Sequence, residues 1–363
     1  MSTVCLCMIV KNEAHVIQRC LDSVRPFIDH WLIVDTGSTD GTQQLIRQHL
    51  RDLPGELFER PWKNFGHNRT EALELARGRA DYLFVIDADE VLQLPADYRR
   101  PPLQAEAYTL DVYFGGINYG RVCLLQSRLP WRYVGVLHEY PDCGHTVERP
   151  LLPGPTVLVH TDGGRSQIDT ATKYARDAEV LEAALRDEPD NARYVFYLAQ
   201  SYRDSHQADK ALQAYERRAA MGGWIEETWY SLYSAARLAE ALGHDAADVV
   251  HRYLQAYECR PQRAETLSAL ARYLRLQQQY ALGRLFAERA MNTPMTDDIL
   301  FVDRADYLWR AADEYAVCSY WTGDYDDTRR VCERLLADPQ LPPSERPRVE
   351  ANLLFAQEAL QSV

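Results

Sequence analysis

The chain lacks the cysteine patterns of zinc-binding and redox proteins. Its eight cysteines form no Cys-x-x-Cys pair, and no group of cysteines and histidines has zinc-finger spacing. Cys5 and Cys7 alternate within an apolar run, as residues on one face of a strand do. We therefore expect buried, reduced thiols in a protein of a reducing compartment.

Membrane-spanning and leader segments are missing as well. No run approaches the roughly 20 apolar residues that cross a bilayer, and no basic segment, apolar core and cleavage site open the chain. The formal net charge of -13 argues against a general nucleic-acid binder, because phosphate backbones need a basic face. We expect a soluble, cytoplasmic protein without nucleic-acid partners; peripheral membrane contact stays compatible with this composition.

Glycine-rich phosphate loops are also absent. Neither Gly115-Gly116 nor Gly163-Gly164 is followed by Lys-Ser or Lys-Thr. No Gly-x-Gly-x-x-Gly follows the first apolar run, which argues against a dinucleotide-dependent oxidoreductase. A nucleotidyltransferase would carry a glycine-rich basic loop there, whereas this chain has Lys11-Asn12-Glu13.

The first half alternates short apolar runs with helical periodicity. The predicted elements, in chain order, are strand Val4–Val10, helix His15–Val24, strand Trp31–Val34, helix Gln43–Leu50, helix Thr70–Ala76 and strand Tyr82–Ile86. This order predicts βαβ units and a mostly parallel sheet covered on both faces. Ligands of such sheets bind at the carboxyl ends of the strands.

From about Thr170 onward the chain is rich in Ala, Leu, Tyr, Arg and Glu at helical spacing. Four stretches resemble degenerate tetratricopeptide repeats, and a capping helix is expected after them: Leu198–Ala219, Trp229–Pro261, Thr266–Pro294, Tyr315–Pro339 and the cap Ser344–Gln361. The alternative is a plain helical bundle. The glycines of the stretch 161–166 predict a linker, so the expected domains are 1–165 and 166–363.

Acidic residues follow two of the predicted strands, Asp35 after the second and Asp87-Ala88-Asp89 after Tyr82–Ile86. Mg²⁺ or Mn²⁺ commonly binds between one or two carboxylates and the phosphates of a substrate. An isolated Asp-x-Asp is a weak signal, because many strands end in acids where solvent begins. The pattern is nevertheless that of a metal–diphosphate site.

Ordered motifs in the first half are similar to the N-terminal signature of family 2 glycosyltransferases, which have the GT-A fold. These motifs are Cys7–Glu13, Cys20–Val24, Ile33–Thr42, Asn68–Leu73 and Ile86–Glu90. The resemblance covers about the first 165 residues. It implies a Rossmann-like α/β domain that uses a UDP-sugar, with UDP-glucose or UDP-N-acetylglucosamine as the expected donors.

The resemblance also implies roles for residues of the donor site. Asp35 corresponds to the acid that hydrogen-bonds uracil, and Arg69 to an arginine near the nucleotide. Asp87 corresponds to the first acid of the Asp-x-Asp, near the ribose and metal, and Asp89 to the direct ligand of Mn²⁺ or Mg²⁺. The nucleotide pocket should also be lined by the end of the first strand, Lys11, Asn12 and Glu13. Glu90 is expected to be an outward N-cap or a supporting acid.

An inverting transfer needs a base that takes the proton of the acceptor. In the family branch that this chain resembles, a His-Glu pair lies in the catalytic loop, and other members have Glu-Asp. We predict Glu139 as the base, with His138 and Asp142 as rivals. His160 follows an apolar run where several GT-A enzymes place a histidine that completes the metal site; a structural histidine is the alternative. The stretch Trp131-Arg132-Tyr133 would stack on a sugar or pack the strand edge.

The leading hypothesis is a metal-dependent inverting glycosyltransferase whose helical repeats present or recruit the acceptor, or form a homodimer. Bacterial enzymes that glycosylate peptides join the same two domain types, and the family branch also contains enzymes that extend lipopolysaccharide cores. A peptide or protein acceptor and a saccharide acceptor are therefore both open. The non-enzymatic alternative is a sugar-nucleotide-sensing scaffold that acts through its repeats.

Overall fold

The computed structural model describes residues 2–115, 117–163 and 169–362. The chain forms two compact units, Met1–Asp187 and Glu188–Val363. The boundary predicted at 165/166 and residues 164–166 of the predicted linker lie outside the described residues, so this boundary stays a prediction. Among the described residues, no helix is long and apolar enough to cross a membrane.

The first unit combines strands and helices. Its strands are β1 (Val4–Val10), β2 (His30–Asp35), β3 (Gly55–Glu59), β4 (Tyr82–Val85), β5 (Glu90–Gln93), β6 (Ala107–Phe114), β7 (Ile117–Gln126), β8 (Arg132–Val134), β9 (Tyr140–Asp142) and β10 (Leu151–Val159). Its helices are α1 (Ile17–Val24), α2 (Thr42–His49), α3 (Phe65–Ala76) and α4 (Thr170–Asp187).

An eight-stranded sheet has the order β3-β2-β1-β4-β7-β6-β10-β5, and β8 and β9 form a separate ribbon. The pairs β3–β2, β2–β1, β1–β4 and β6–β10 are parallel. Strand β7 is antiparallel to β4 and β6, and β5 is antiparallel to β10. This mostly parallel sheet confirms the predicted fold class of the first half.

Strand β1 lies at the centre of the unit, because its alternate side chains enter two different cores. Leu6 and Met8 pack in a cluster with Ile17 and Leu21 of α1. Cys5 and Cys7 point to the opposite face and pack in a cluster with Ala72 and Leu73 of α3. The sheet is thus covered on both faces, as predicted. Both thiols are buried, and all eight cysteines are unpaired.

The second unit consists of helices joined mostly by short turns, with one longer connecting segment, 292–305. The helices are α5 (Ala192–Asp204), α6 (Ala208–Ala220), α7 (Ile225–Ala241), α8 (Ala246–Cys259), α9 (Ala264–Leu276), α10 (Tyr280–Met291), α11 (Ala311–Trp321), α12 (Tyr325–Ala337) and α13 (Arg346–Ser362). A π-helical turn, Asp306–Arg310, leads into α11. The pairs α5–α6, α7–α8, α9–α10 and α11–α12 follow the predicted repeats, and α13 is the predicted cap, so the tetratricopeptide-like architecture is confirmed.

A buried charge network ties the segment before α11 to the start of α9. Arg263 is fully buried, and its guanidinium lies 3.6 Å from the ring centroid of Trp229. It donates to Glu265 at 2.8 Å and to Asp298 at 3.3 Å, and to the carbonyls of Leu300 and Phe301. A buried cation is stable only when such partners replace water.

Candidate active site

The acids singled out in the sequence lie along one edge of the sheet. Strands β1, β2 and β4 are parallel, so their last residues, Val10, Asp35 and Val85, meet there. Strand β10 reaches the same edge, where Val159 pairs with Glu90 at the start of β5. The fold therefore brings together the predicted nucleotide pocket, the acidic motif and the end of β10.

Asp35 is buried at the end of β2, and its two carboxylate oxygens have different surroundings. Oδ1 accepts hydrogen bonds from the backbone N–H groups of Gly37 and Ser38, both at 2.9 Å, and from the Gln43 amide at 3.1 Å. Oδ2 is also buried, but no described residue donates a hydrogen bond to it. A buried acceptor without a donor costs about 1–3 kcal/mol. Asp35 is therefore an acceptor that a ligand N–H would satisfy.

The loop after β1 is tied to the loop after β2. Asn12 has a left-handed φ of 57°, its N–H donates to the Ser38 hydroxyl at 2.8 Å, and its Oδ1 accepts from the Thr39 N–H at 2.8 Å. The Glu13 N–H donates to the Thr42 hydroxyl at 2.9 Å. These bonds brace the loop around Asp35. Lys11 is exposed beside them.

Asp87 and Asp89 differ in their charge environment. Asp87 accepts a hydrogen bond from Arg69 Nη2 at 2.6 Å. Burial alone would raise the pKa of Asp87, but the charges of Arg69 and Arg121 hold it below its ordinary value. For Asp89, burial, together with the nearby charges of Asp87 and Glu90, raises the pKa to about 6. Among the described residues, no cation lies within ion-pair distance of Asp89.

Of the two expectations for Glu90, the outward N-cap was wrong, and the supporting acid agrees with the structure. Glu90 is 3% exposed, and its carboxylate pairs with both terminal nitrogens of Arg121 on β7, at 2.7 and 2.6 Å. Glu90 Oε2 also accepts the Asp87 N–H at 3.0 Å. Glu90 and Arg121 thus fix the turn that carries the acidic motif. Sequence reasoning did not identify Arg121.

Glu139, the predicted base, is linked to the acidic motif through Arg69. Its side chain is 11% exposed, and Oε1 accepts a hydrogen bond from Arg69 Nε at 2.7 Å. Arg69 therefore contacts both Asp87 and Glu139, and its guanidinium lies 5.6 Å from the ring centroid of Tyr133. His138 is exposed and has a left-handed φ of 51°.

The remaining residues predicted near the acceptor have other contacts. Asp142 ends β9 and pairs with Arg132 across the ribbon at 3.4 Å. Trp131 is buried, and its indole N–H donates to the Gln126 carbonyl at 3.1 Å. Of the two functions considered for Trp131, packing is therefore the one that the structure shows. Tyr133 packs instead beneath Arg69.

His160 directly follows β10, and the pairing of Val159 with Glu90 brings it to the level of Asp89. The chain then passes close to this acid, because a β-carbon on Gly163 would lie 2.5 Å from Asp89 Oδ2. In the described parts of the chain, no three His, Cys, Asp or Glu side chains converge as a metal-binding group. The predicted ligand set of Asp87, Asp89 and His160 therefore stays a prediction.

The donor chemistry at this edge nevertheless suits a hard divalent cation. Asp89 supplies a carboxylate with no ion-pair partner among the described residues, and Asp87 lies two residues before it. Mg²⁺ and Mn²⁺ are commonly bound by one or two carboxylates, with phosphate oxygens and water completing the shell. Two acids without a third protein ligand are consistent with this mode of binding.

The first half matches the model of a known family, described as Glycosyl transferase family 2, over residues 5–152. Among curated proteins, the SPbeta prophage-derived glycosyltransferase SunS of Bacillus subtilis is 25% identical, over 57% of this chain and 50% of its own length. A TPR repeat-containing protein of Synechococcus elongatus is 31% identical, over 53% of this chain and 50% of its own length. The chain thus spans about half the length of these relatives.

Solved structures also resemble part of the chain. BtubC from P. vanneervenii matches with a TM-score of 0.41 and 16% identity, covering 55% of this chain and 85% of its own. A tetratricopeptide repeat protein from Parabacteroides merdae matches with a TM-score of 0.38 and 18% identity, covering 52% and 68%. The family match, over residues 5–152, falls within the first unit, which also carries the strand-end acids.

Proposed function

We propose that the protein is a metal-dependent, inverting glycosyltransferase that moves a sugar from a UDP-sugar to a peptide, protein or saccharide acceptor. UDP-glucose and UDP-N-acetylglucosamine are the donors to test first. The observation that carries the proposal is the buried Oδ2 of Asp35, to which no described residue donates, at the strand edge of a region that matches family 2. Uracil presents one ring N–H, which is the donor that this oxygen needs.

The donor would lie along the strand edge from Asp35 to the acidic motif. Its base would bind beside Asp35, within the loop that Asn12 and Glu13 brace, with Lys11 at the rim. Asp87 and Asp89, with His160 as a further candidate, would hold a Mn²⁺ or Mg²⁺ ion, which neutralises charge on the diphosphate when it is bound. The raised pKa of Asp89 fits an acid that is ionised most readily with a cation beside it.

Transfer exchanges one bond for another at the anomeric carbon. The oxygen or sulfur of the acceptor forms a bond to this carbon as the bond to the β-phosphate oxygen breaks, and UDP leaves with the electron pair. The acceptor proton passes to a base of the protein. Glu139 is the best-placed candidate, since Arg69 holds its Oε1 and no hydrogen bond from a described residue reaches Oε2. His138 is the rival.

The acceptor would be presented or recruited by the helical unit. Stacked helical repeats offer extended surfaces that suit peptides, and a saccharide acceptor is the second option. The Bacillus subtilis relative is named a glycosyltransferase, which supports transferase activity without choosing between the two acceptors.

The test is UDP release from a panel of UDP-sugars in Mn²⁺, Mg²⁺ or EDTA. The wild type is compared with Asp89→Ala and with Asp97→Ala, which removes an exposed acid in the segment between β5 and β6. We expect release that needs metal, prefers one sugar, survives in Asp97→Ala and is lost in Asp89→Ala. Binding of UDP-sugar without turnover, with every acceptor class tried, would instead support the sensing scaffold. Equal release by Asp89→Ala would contradict the proposed role of the acidic motif.

A further inference from the structure

Helix α3 carries three residues on one face toward the segment that contains Glu139. Gly66, Arg69 and Thr70 are spaced three and four residues apart, so they lie along one side of the helix. The Tyr133 N–H donates to the Thr70 hydroxyl at 2.8 Å. Segment 132–139 is therefore supported by α3 before any ligand binds.

The backbone of this segment approaches α3 as closely as glycine permits. A β-carbon on Gly66 would lie 2.1 Å from the carbonyl oxygen of Gly135, which is far inside contact distance. Gly135 itself has a left-handed φ of 111°. Two glycines thus allow a direct contact between helix and loop. Glu139 is held only four residues beyond it.

Arg69 adds a charged bridge to this contact. Nε donates to Glu139 at 2.7 Å, and Nη2 donates to Asp87 at 2.6 Å. The Arg69 side chain is 12% exposed and lies on the ring of Tyr133. A guanidinium can serve two carboxylates in fixed directions, because its N–H groups are coplanar and rigid.

We propose that Arg69 is a positioning residue, which fixes the acceptor-side acid Glu139 relative to the donor-side acid Asp87. This role differs from the nucleotide contact that family resemblance implies for Arg69. The roles of the two acids rest on the proposed glycosyl transfer, whereas the bridge between them is a contact of the protein itself. Because transfer rates fall steeply when reacting groups move by about 1 Å, the bridge sets the rate of transfer rather than the affinity for UDP.

The experiment compares Arg69→Met and Arg69→Lys with Arg79→Met in the full-length chain. Arg79 is a matched control, because it also pairs with one glutamate (Glu56, 2.9 Å) and lies 5.6 Å from an aromatic ring. For Arg69→Met we expect kcat to fall about 100-fold, with the Kd for UDP close to that of the wild type. Arg69→Lys should not restore kcat, since one ammonium group cannot reproduce the two directed N–H donors of the guanidinium.

A double-mutant cycle with Glu139→Gln tests whether Arg69 affects kcat through Glu139. If Arg69 acts through Glu139, then Arg69→Met should cost little further activity once Glu139 is changed. A weaker Kd for UDP with unchanged kcat would make Arg69 a nucleotide ligand and overturn the proposal. Full rescue by lysine would overturn it as well, because charge alone would then suffice.

Hydrogen exchange separates the bridge from the proposed function. Backbone amides of segment 134–139 should exchange faster in Arg69→Met than in the wild type or Arg79→Met, whether or not any UDP-sugar is turned over. Unchanged exchange in this segment would overturn the positioning role even in an active enzyme. Faster exchange in a protein without turnover would support the bridge and refute only the glycosyl transfer.

Discussion

Replacing Asp35 with asparagine should weaken the binding of a uracil nucleotide without changing the loop around residue 35. Three N–H donors, from Gly37, Ser38 and Gln43, point at the present Oδ1. In Asp35→Asn the side-chain oxygen must stay there to accept them. The NH₂ group must therefore take the place of the unpartnered Oδ2.

The magnitude follows from the two hydrogen-bonding changes at that position. The variant loses a hydrogen bond between a ligand N–H and a carboxylate, which contributes about 1.5–3 kcal/mol. It also places the asparagine NH₂ group against the ligand N–H, which leaves a buried donor unpaired at a cost of about 1–3 kcal/mol. Since these changes overlap, we expect a total of about 3 kcal/mol, which weakens binding roughly 100-fold.

Isothermal titration calorimetry with UDP and with uridine measures this change, and Asp97→Asn controls for the loss of one negative charge. Both ligands should weaken by the same factor in Asp35→Asn, because the effect lies at the base. The free energy of unfolding of the unliganded variant should change little, since an unpaired amide NH₂ replaces an unpaired carboxylate oxygen at the same buried position. Wild-type affinity for UDP in Asp35→Asn would refute the assignment of Oδ2 to the base.

Three further predictions concern charge and packing. Folding raises the pKa of Asp89 from an ordinary value to about 6, so the folded protein binds a proton more readily than the unfolded chain does. The metal-free wild type should therefore gain thermal stability relative to Asp89→Asn as the pH falls from 7.5 to 5. An equal response of both proteins would contradict this prediction. Gly66→Ala places a β-carbon 2.1 Å from a backbone oxygen and should lower the free energy of unfolding, measured by chemical denaturation, by about 3 kcal/mol. The control Gly144→Ala, whose added carbon meets nothing within 4 Å, should lower it by about 1 kcal/mol. Arg263→Met removes the ion-pair partner of the buried Glu265, while Asp298 keeps Arg260, and should cost about 3–5 kcal/mol. Arg329→Met, at a surface ion pair, should cost under about 1 kcal/mol. Similar losses in both variants would show that the buried network is not needed.

The sequence predicted the elements whose periodicity is set by burial. Strand β1 is nearly continuous in apolar residues because both its faces are covered, and α1 carries its buried residues at helical spacing. The helix pairs of the second unit were predictable for the same reason. Strands β3, β6 and β7 were not predicted: β3 is a half-exposed edge, β6 ends with exposed residues such as Tyr113, and β7 begins with exposed residues such as Tyr119. Strand β6 nevertheless has the alternation of a half-buried strand, with Tyr108, Leu110 and Val112 buried, so its sequence did carry the signal.

Individual acids of the site could be predicted, because each follows a strand that ends at the same sheet edge. Their partners could not. Arg121 is 31 residues from Glu90, and Glu139 is 70 residues from Arg69, so no local spacing relates them. The outward orientation expected for Glu90 failed for this reason: an acid after a strand faces solvent unless a neighbouring strand supplies a cation.

The same pairing explains why the acids of one motif differ in chemistry. Asp87 and Glu90 each have an arginine within 2.7 Å, Arg69 from α3 and Arg121 from β7. Asp89 lies between them in the chain and has no such partner among the described residues. Its charge is therefore the part of the motif that the described residues leave without an ion-pair partner, and a cation brought by the ligand would balance it. A sequence of three acids cannot distinguish them, because what separates their functions is which arginines the fold places beside each one.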